Sequence, residues 1–92
     1  MIIVAVLSAL AEPTRLEAMR FLADGSERCA CELMRKLCAT QSRMSRHMQV
    51  LRQAGMVVDR RDAQRVRYRV RPDLPPHLRA PLAAAVAEEV MA

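Results

Sequence analysis

From Thr40 to Val58 the chain reads TQSRMSRHMQVLRQAGMVV, and this stretch constrains the rest more than any other. Met44, Met48 and Leu51 fall at the i, i+4, i+7 spacing of a one-sided core stripe, so the segment predicts an amphipathic helix. Thr40 is placed to cap its start, and Gly55 to stop it in a left-handed C′ conformation. The outward face offers Gln41, Ser42, Arg43, Ser45, Arg46 and His47, and no acidic residue occurs from Ala39 to Val58. Amide, hydroxyl, guanidinium and imidazole groups bind phosphates and base edges, which is how a helix entering a DNA major groove is written. Taken alone, the same helix also reads as a surface helix with a solvated Arg/Gln face.

The neighbouring segments decide between those readings. After Gly55 the apolar period changes from 3.6 to 2. Met56 to Arg61 leads to a polar turn around Asp62, Ala63 and Gln64, and Val66, Tyr68 and Val70 then alternate with Arg65, Arg67, Arg69 and Arg71. Such alternation predicts a two-stranded hairpin with one apolar and one arginine face. Before the basic helix, Ser26–Leu37 reads as a short helix with Leu33, Met34 and Leu37 as its stripe. A three-residue link then gives a helix-turn-helix over 27–55, with a wing over 56–71. Upstream, Pro13 suits the first turn of a helix running through Leu16, Met19 and Leu22 to Asp24-Gly25, with Thr14 and Arg15 on its outer face.

The termini are apolar. Residues 2–11, IIVAVLSALA, carry no charge, so a helix there needs burial, and a second subunit is the natural place for it in so small a protein. A final Ala/Leu/Val-rich helix over 77–91 contains Pro81, which requires either a late start or a kink. The expected fold is therefore mostly α with a small β-hairpin: a single winged helix-turn-helix domain over 1–92, homodimeric, with 1–11 and 77–91 as dimerisation helices.

Composition narrows the function. With one Phe, one Tyr and no Trp, the core is expected to be Leu, Val, Ala and Met, and two glycines leave little for a phosphate-binding loop. A formal charge of +5 points to a polyanion partner. Arg60, Arg61, Arg65 and Arg67 on the wing are expected along phosphates or in the minor groove, although a solvated hairpin face is the plainer reading of them alone. The partner expected is double-stranded operator DNA, not a membrane, since Met1–Leu10 is too short to span one. The location expected is cytoplasmic. Three cysteines without a targeting signal suggest thiols kept reduced.

Several strings carry a family resemblance. AEPTRLEAMRFL, CACEL, SRMSRHMQVLRQAGMV and RVRYRV look like the ArsR/SmtB family of metal-responsive repressors over most of the chain, and CACEL before the basic helix resembles its arsenic- and antimony-responsive branch. The resemblance implies a homodimer built from the first and last helices and a palindromic operator bound in the apo state. It implies release by trivalent arsenic or antimony at Cys29 and Cys31, with no organic cofactor, and DNA contact by Gln41, Ser42, Ser45, Arg46 and His47. That branch commonly has a third cysteine three residues after the pair, where this chain has Met34.

The chemistry of a C-x-C trigger follows from helix geometry. Residues i and i+2 of an α-helix point about 200° apart, so both thiols reach one ion only if the first turn is held non-helical. Thiols at a helix N-terminus beside Arg28 should ionise more readily. Cys38 is a further candidate ligand, but seven residues of helix separate it from Cys31 by roughly 10 Å. Alternatives remain: small buried cysteines, a thiol redox sensor, or a sensor of another thiophilic metal. Four N/S ligands for zinc are hard to find, since the only histidines are His47, better placed for DNA, and His77 near the last helix, which reads as a surface residue. An enzyme lacks a base near the thiols and a cofactor loop.

Overall fold

A computed structural model of the chain describes residues 2–87. Its elements are α1 (Ile2–Leu10), α2 (Pro13–Leu22), β1 (Arg28–Cys29), α3 (Ala30–Leu37), α4 (Gln41–Gln53), β2 (Val57–Asp62), β3 (Arg65–Val70) and α5 (Pro76–Ala87). Helix α4 has the boundaries its caps require. Thr40, extended at φ −70° and ψ 162°, accepts the Arg43 amide on its hydroxyl at 3.3 Å. At the other end Gly55 stands at φ 81°, the Gly55 amide donates to the Arg52 carbonyl and the Met56 amide to that of Leu51, which is a Schellman closure.

The segment before α4 corrects the sequence reading. Ser26–Leu37 is not one helix: Arg28 and Cys29 are extended and pair antiparallel with β3, Arg28 opposite Tyr68 and Cys29 opposite Arg67. The sheet therefore has three strands in the order β1-β3-β2 rather than two. An unpaired edge of β3 presents backbone donors and acceptors, and the polar run before Cys29 has no apolar stripe to hold a helical turn against that competition.

Helix α2 starts as expected, with Pro13 in its first turn and Glu12 as N-cap, the Arg15 amide donating to Glu12 Oε2 at 2.9 Å. Helix α5 starts at Pro76, not at a late position near Pro81, which lies inside the helix. The part of the final helix expected over 88–91 lies outside the described residues.

The core is aliphatic and thioether-rich. Val6, Ala18, Met19, Leu22, Leu33, Met44, Met48, Leu51 and Met56 are essentially inaccessible, and Leu74, Leu78 and Leu82 close it from the α5 side. Each such Leu or Met contributes roughly 1.5–3 kcal/mol by burial. Helix α1 turns Val6, Ala9 and Leu10 inward but leaves Ile2, Val4 and Leu7 exposed at 64, 58 and 55 %. Among the described residues no helix is long and apolar enough to cross a membrane.

Candidate nucleic-acid interface and thiol pair

Helix α4 buries Met44, Met48 and Leu51, and this orientation turns Gln41, Ser42, Arg43, Ser45 and Arg46 to solvent. Those five residues make one polar, acid-free surface covering the first turns of the helix. His47 does not join them. Its side chain is only 16 % exposed and faces the N-terminus of α2, where Arg15 Nη1 lies 3.2 Å and Glu12 Oε2 3.5 Å from its Nδ1. Arg15 likewise is not on an outer face, because its Nε donates to the Ala9 carbonyl at 2.7 Å. Burial opposes the charge of Glu12, but the Thr14 and Arg15 amides and the nearby His47 outweigh it and hold the carboxyl below its ordinary value.

The wing is a tight hairpin. Asp62 pairs with Arg65 across a turn in which Ala63 takes a positive φ of 57°. Opposite residues of an antiparallel pair share a face, so Arg60 lies with Arg67, whereas Arg61 lies with Val66 on the other side. The four arginines expected together are thus split by the pleat. Two are also engaged within the chain. Arg60 binds Glu27 bidentately, both contacts at 2.7 Å, and Arg67 Nε donates to Asp62 at 2.9 Å. The Arg60 hydrogen bonds hold the Glu27 carboxyl below its usual range, with Arg69 and Arg67 acting in the same sense. The exposed Arg61 and Arg65 flank the turn and make no ion pair among the described residues.

At the cysteine pair the structure again departs from expectation. Cys29 and Cys31 are not free thiols: they are joined as a disulfide, with Cα atoms 5.3 Å apart. No helical turn is unwound to achieve this. Cys29 is the extended N-cap of α3, at φ −75° and ψ 158°, and only Cys31 is inside the helix. The Glu32 amide donates to Cys29 Sγ at 3.4 Å while the Cys29 amide donates to Glu32 Oε1 at 3.0 Å, a capping box with cysteine in the serine position. Glu32 was not among the expected site residues, although C-x-x-E before an apolar run is a legible capping pattern. The Cys29 amide bond is also the first cause holding the Glu32 carboxyl below its ordinary value.

The pair opens onto a groove lined by Ala30, Met34, Gln41, Gln64, Arg65 and Val66, so it lies between the start of α4 and the tip of the wing. Cys38 stands apart as the exposed C-cap of α3, in the left-handed region at φ 53° and ψ 44°, with its amide donating to the Met34 carbonyl. Among the described residues, no three or more His, Cys, Asp or Glu side chains group together to hold a metal ion.

Comparison with known proteins adds an independent line. Residues 12–58 match the model of the family described as "Bacterial regulatory protein, arsR family". The arsenic resistance transcriptional regulator ArsR2 of Pseudomonas putida is 44% identical over 70 residues, which cover 76% of this chain and 61% of that protein. The arsenical resistance operon repressor of Escherichia coli is 38% identical over 66 residues, covering 72% and 56%. The chain thus spans about three fifths of the length of these relatives. Among solved structures, HlyU of Vibrio cholerae superposes with a TM-score of 0.78 at 31% identity, covering 90% of this chain and 86% of that one. A homodimeric winged helix-turn-helix DNA-binding domain of Mycobacterium bovis gives 0.75 at 25% identity, covering 90% and 73%.

Proposed function

This chain belongs to the arsR family of bacterial regulatory proteins, and on that premise we propose that it is a homodimeric transcriptional repressor released from operator DNA by trivalent arsenic or antimony at Cys29 and Cys31. The observation that carries this reading is the position of the cysteine pair, in a groove it shares with Gln41 of the recognition helix α4 and with Gln64 and Arg65 of the wing tip. Gln41, Ser42, Arg43, Ser45 and Arg46 contact base edges and phosphates, and Arg61 and Arg65 reach the flanking backbone. The exposed Ile2, Val4 and Leu7 of α1 meet a second copy. Arsenic-resistance relatives and a homodimeric structural neighbour support the inducer class and the assembly.

The trigger works through two connections. Cys29 pairs with Arg67 of β3, hence with the wing, and Cys31 belongs to α3, which packs on α4. In the reduced protein the Cys29 and Cys31 thiols would hold trivalent arsenic in place of two of its hydroxyl groups: two S–H and two As–O bonds would break, two As–S bonds would form, each thiol proton would leave with a hydroxyl as water, and arsenic would keep its oxidation state. The bridge then holds α3 and the wing in one relative position. It favours whichever DNA affinity belongs to that state, which is what coupling between two sites requires. A second reading is favoured by the disulfide itself: oxidation of the same pair would impose a similar constraint.

Operator release measured by fluorescence anisotropy against arsenite, antimonite, zinc, cadmium and peroxide separates the two. Release by arsenite and antimonite in excess reductant supports the metalloid sensor. Release by peroxide alone, reversed by reductant, assigns the pair to redox sensing instead.

A further inference from the structure

His47 and Arg15 join three helices through directional polar contacts. Arg15 Nε donates to the Ala9 carbonyl in the last turn of α1 at 2.7 Å, and its Nη1 lies 3.2 Å from His47 Nδ1 near the middle of α4. Glu12, the N-cap of α2, accepts the Arg15 amide at 2.9 Å and approaches the same ring nitrogen at 3.5 Å. A guanidinium has only donors, so the Arg15 contact is a hydrogen bond when the neutral ring carries its proton on Nε2 and leaves Nδ1 to accept.

We propose that Arg15 and His47 form a positioning clamp that sets the angle of α4 against α1, so that His47 governs which half-site spacing the dimer accepts rather than which bases it reads. The proposal rests on the DNA-binding reading above. It follows from what else holds α4 in place. The inner face of the helix is Met44, Met48 and Leu51, and methionine-rich apolar packing is adaptable and non-directional. A hydrogen bond weakens steeply once its angle falls toward 120°. Near its C-terminal end α4 is also tied to β2, Arg52 Nη1 lying 3.5 Å from Asp59, so among the described residues the clamp is the directional contact that resists rotation of the N-terminal half of the helix. Its other end is α1, whose exposed Ile2, Val4 and Leu7 form the face for a second copy. The partner contact and the DNA contact are thus connected through one guanidinium.

The geometry of α4 makes the effect large enough to matter. Gln41 lies six residues before His47, about 9 Å along the axis at 1.5 Å per residue. A pivot of about 10° at His47 moves that end by roughly 1.6 Å, and two protomers together by about 3 Å, close to one base-pair step.

The test uses duplexes selected from a random pool by the wild-type homodimer, then rebuilt with half-site spacing changed by one base pair in either direction. Wild type should prefer the selected spacing by at least tenfold. His47→Leu and Arg15→Gln should bind the selected duplex about tenfold more weakly and discriminate poorly between spacings, with the salt dependence of binding unchanged. His47→Asn, whose amide oxygen takes the place of Nδ1, should recover most of the discrimination. Arg15→Lys, which cannot reach both Ala9 and His47, should not. If His47→Leu fails to fold, the Asn and Lys pair carries the same comparison. Nitrogen NMR of the ring gives a readout independent of DNA: the Nε2–H tautomer in wild type, altered in Arg15→Gln. Equal weakening by His47→Leu and His47→Asn at every spacing makes His47 a direct contact and overturns the clamp, as does a ring insensitive to Arg15. Failure of wild type to select any duplex overturns the DNA-binding reading, and the ring signal then still decides whether the clamp exists.

Discussion

Replacing Cys38 by glycine separates a structural role from a ligand role in one variant. Cys38 closes α3 at φ 53° and ψ 44°, a conformation that costs a residue with a Cβ roughly 1–2 kcal/mol. Its amide and that of Ala39 both donate to the Met34 carbonyl, and glycine keeps both bonds. The thiol is exposed, so its loss opens no cavity. Against the relieved strain stands the greater freedom of glycine in the unfolded chain, worth about 0.4–1 kcal/mol. The difference spans about 0–1.6 kcal/mol of net stabilisation, and its centre of about 0.8 raises the Tm of a domain this size by roughly 3–6 °C. Calorimetry at fixed protomer concentration measures it, since the Tm of a dimer depends on concentration. Arsenite-driven release of the same variant should match wild type. A lower Tm refutes the account of the cap. A stabilised protein that no longer responds to arsenite refutes the two-thiol site and makes Cys38 a ligand.

Four further outcomes are expected. Arg46→Ala removes one exposed guanidinium from each of two recognition helices, so operator affinity should fall by about 2–6 kcal/mol, at 1–3 per contact, with the dimer intact; wild-type affinity at physiological salt would exclude α4 as the reading helix. Val4→Asp places a charge on a side chain 58 % exposed in the single chain, so sedimentation should show a folded monomer with weak DNA binding, and a persistent dimer would remove α1 from the interface. Cys29→Ser and Cys31→Ser should each stay on DNA at arsenite concentrations that release wild type; release at the wild-type concentration would move the sensor elsewhere. Glu12 titrates below its unfolded value of 4.5, so the stability it contributes is complete above that pH and is lost as pH falls through the lower folded value; melts taken from pH 6 down to 3 should drop more steeply for wild type than for Glu12→Gln.

The elements that sequence alone determined are those specified by short-range chemistry. Thr40 and Gly55 bound α4 because capping and left-handed closure are decided within a few residues, and Met44, Met48 and Leu51 chose its buried face by periodicity. The alternation of Val66, Tyr68 and Val70 was enough for β3, and Asp62 to Gln64 for its turn. The tertiary structure decided what depended on a distant partner. Residues 28 and 29 are a strand because the edge of β3, far along the chain, was open to pair with them, and that pairing makes Cys29 a cap and brings its sulfur to Cys31 without unwinding α3. His47 shares the polar pattern of its neighbours, yet it turns inward because Arg15 and Glu12 wait at the start of α2. Likewise the arginine count of the wing says nothing of which guanidiniums remain available. Arg60 and Arg67 are taken by Glu27 and Asp62, since a charge in a fold binds whichever opposite charge the packing brings within reach.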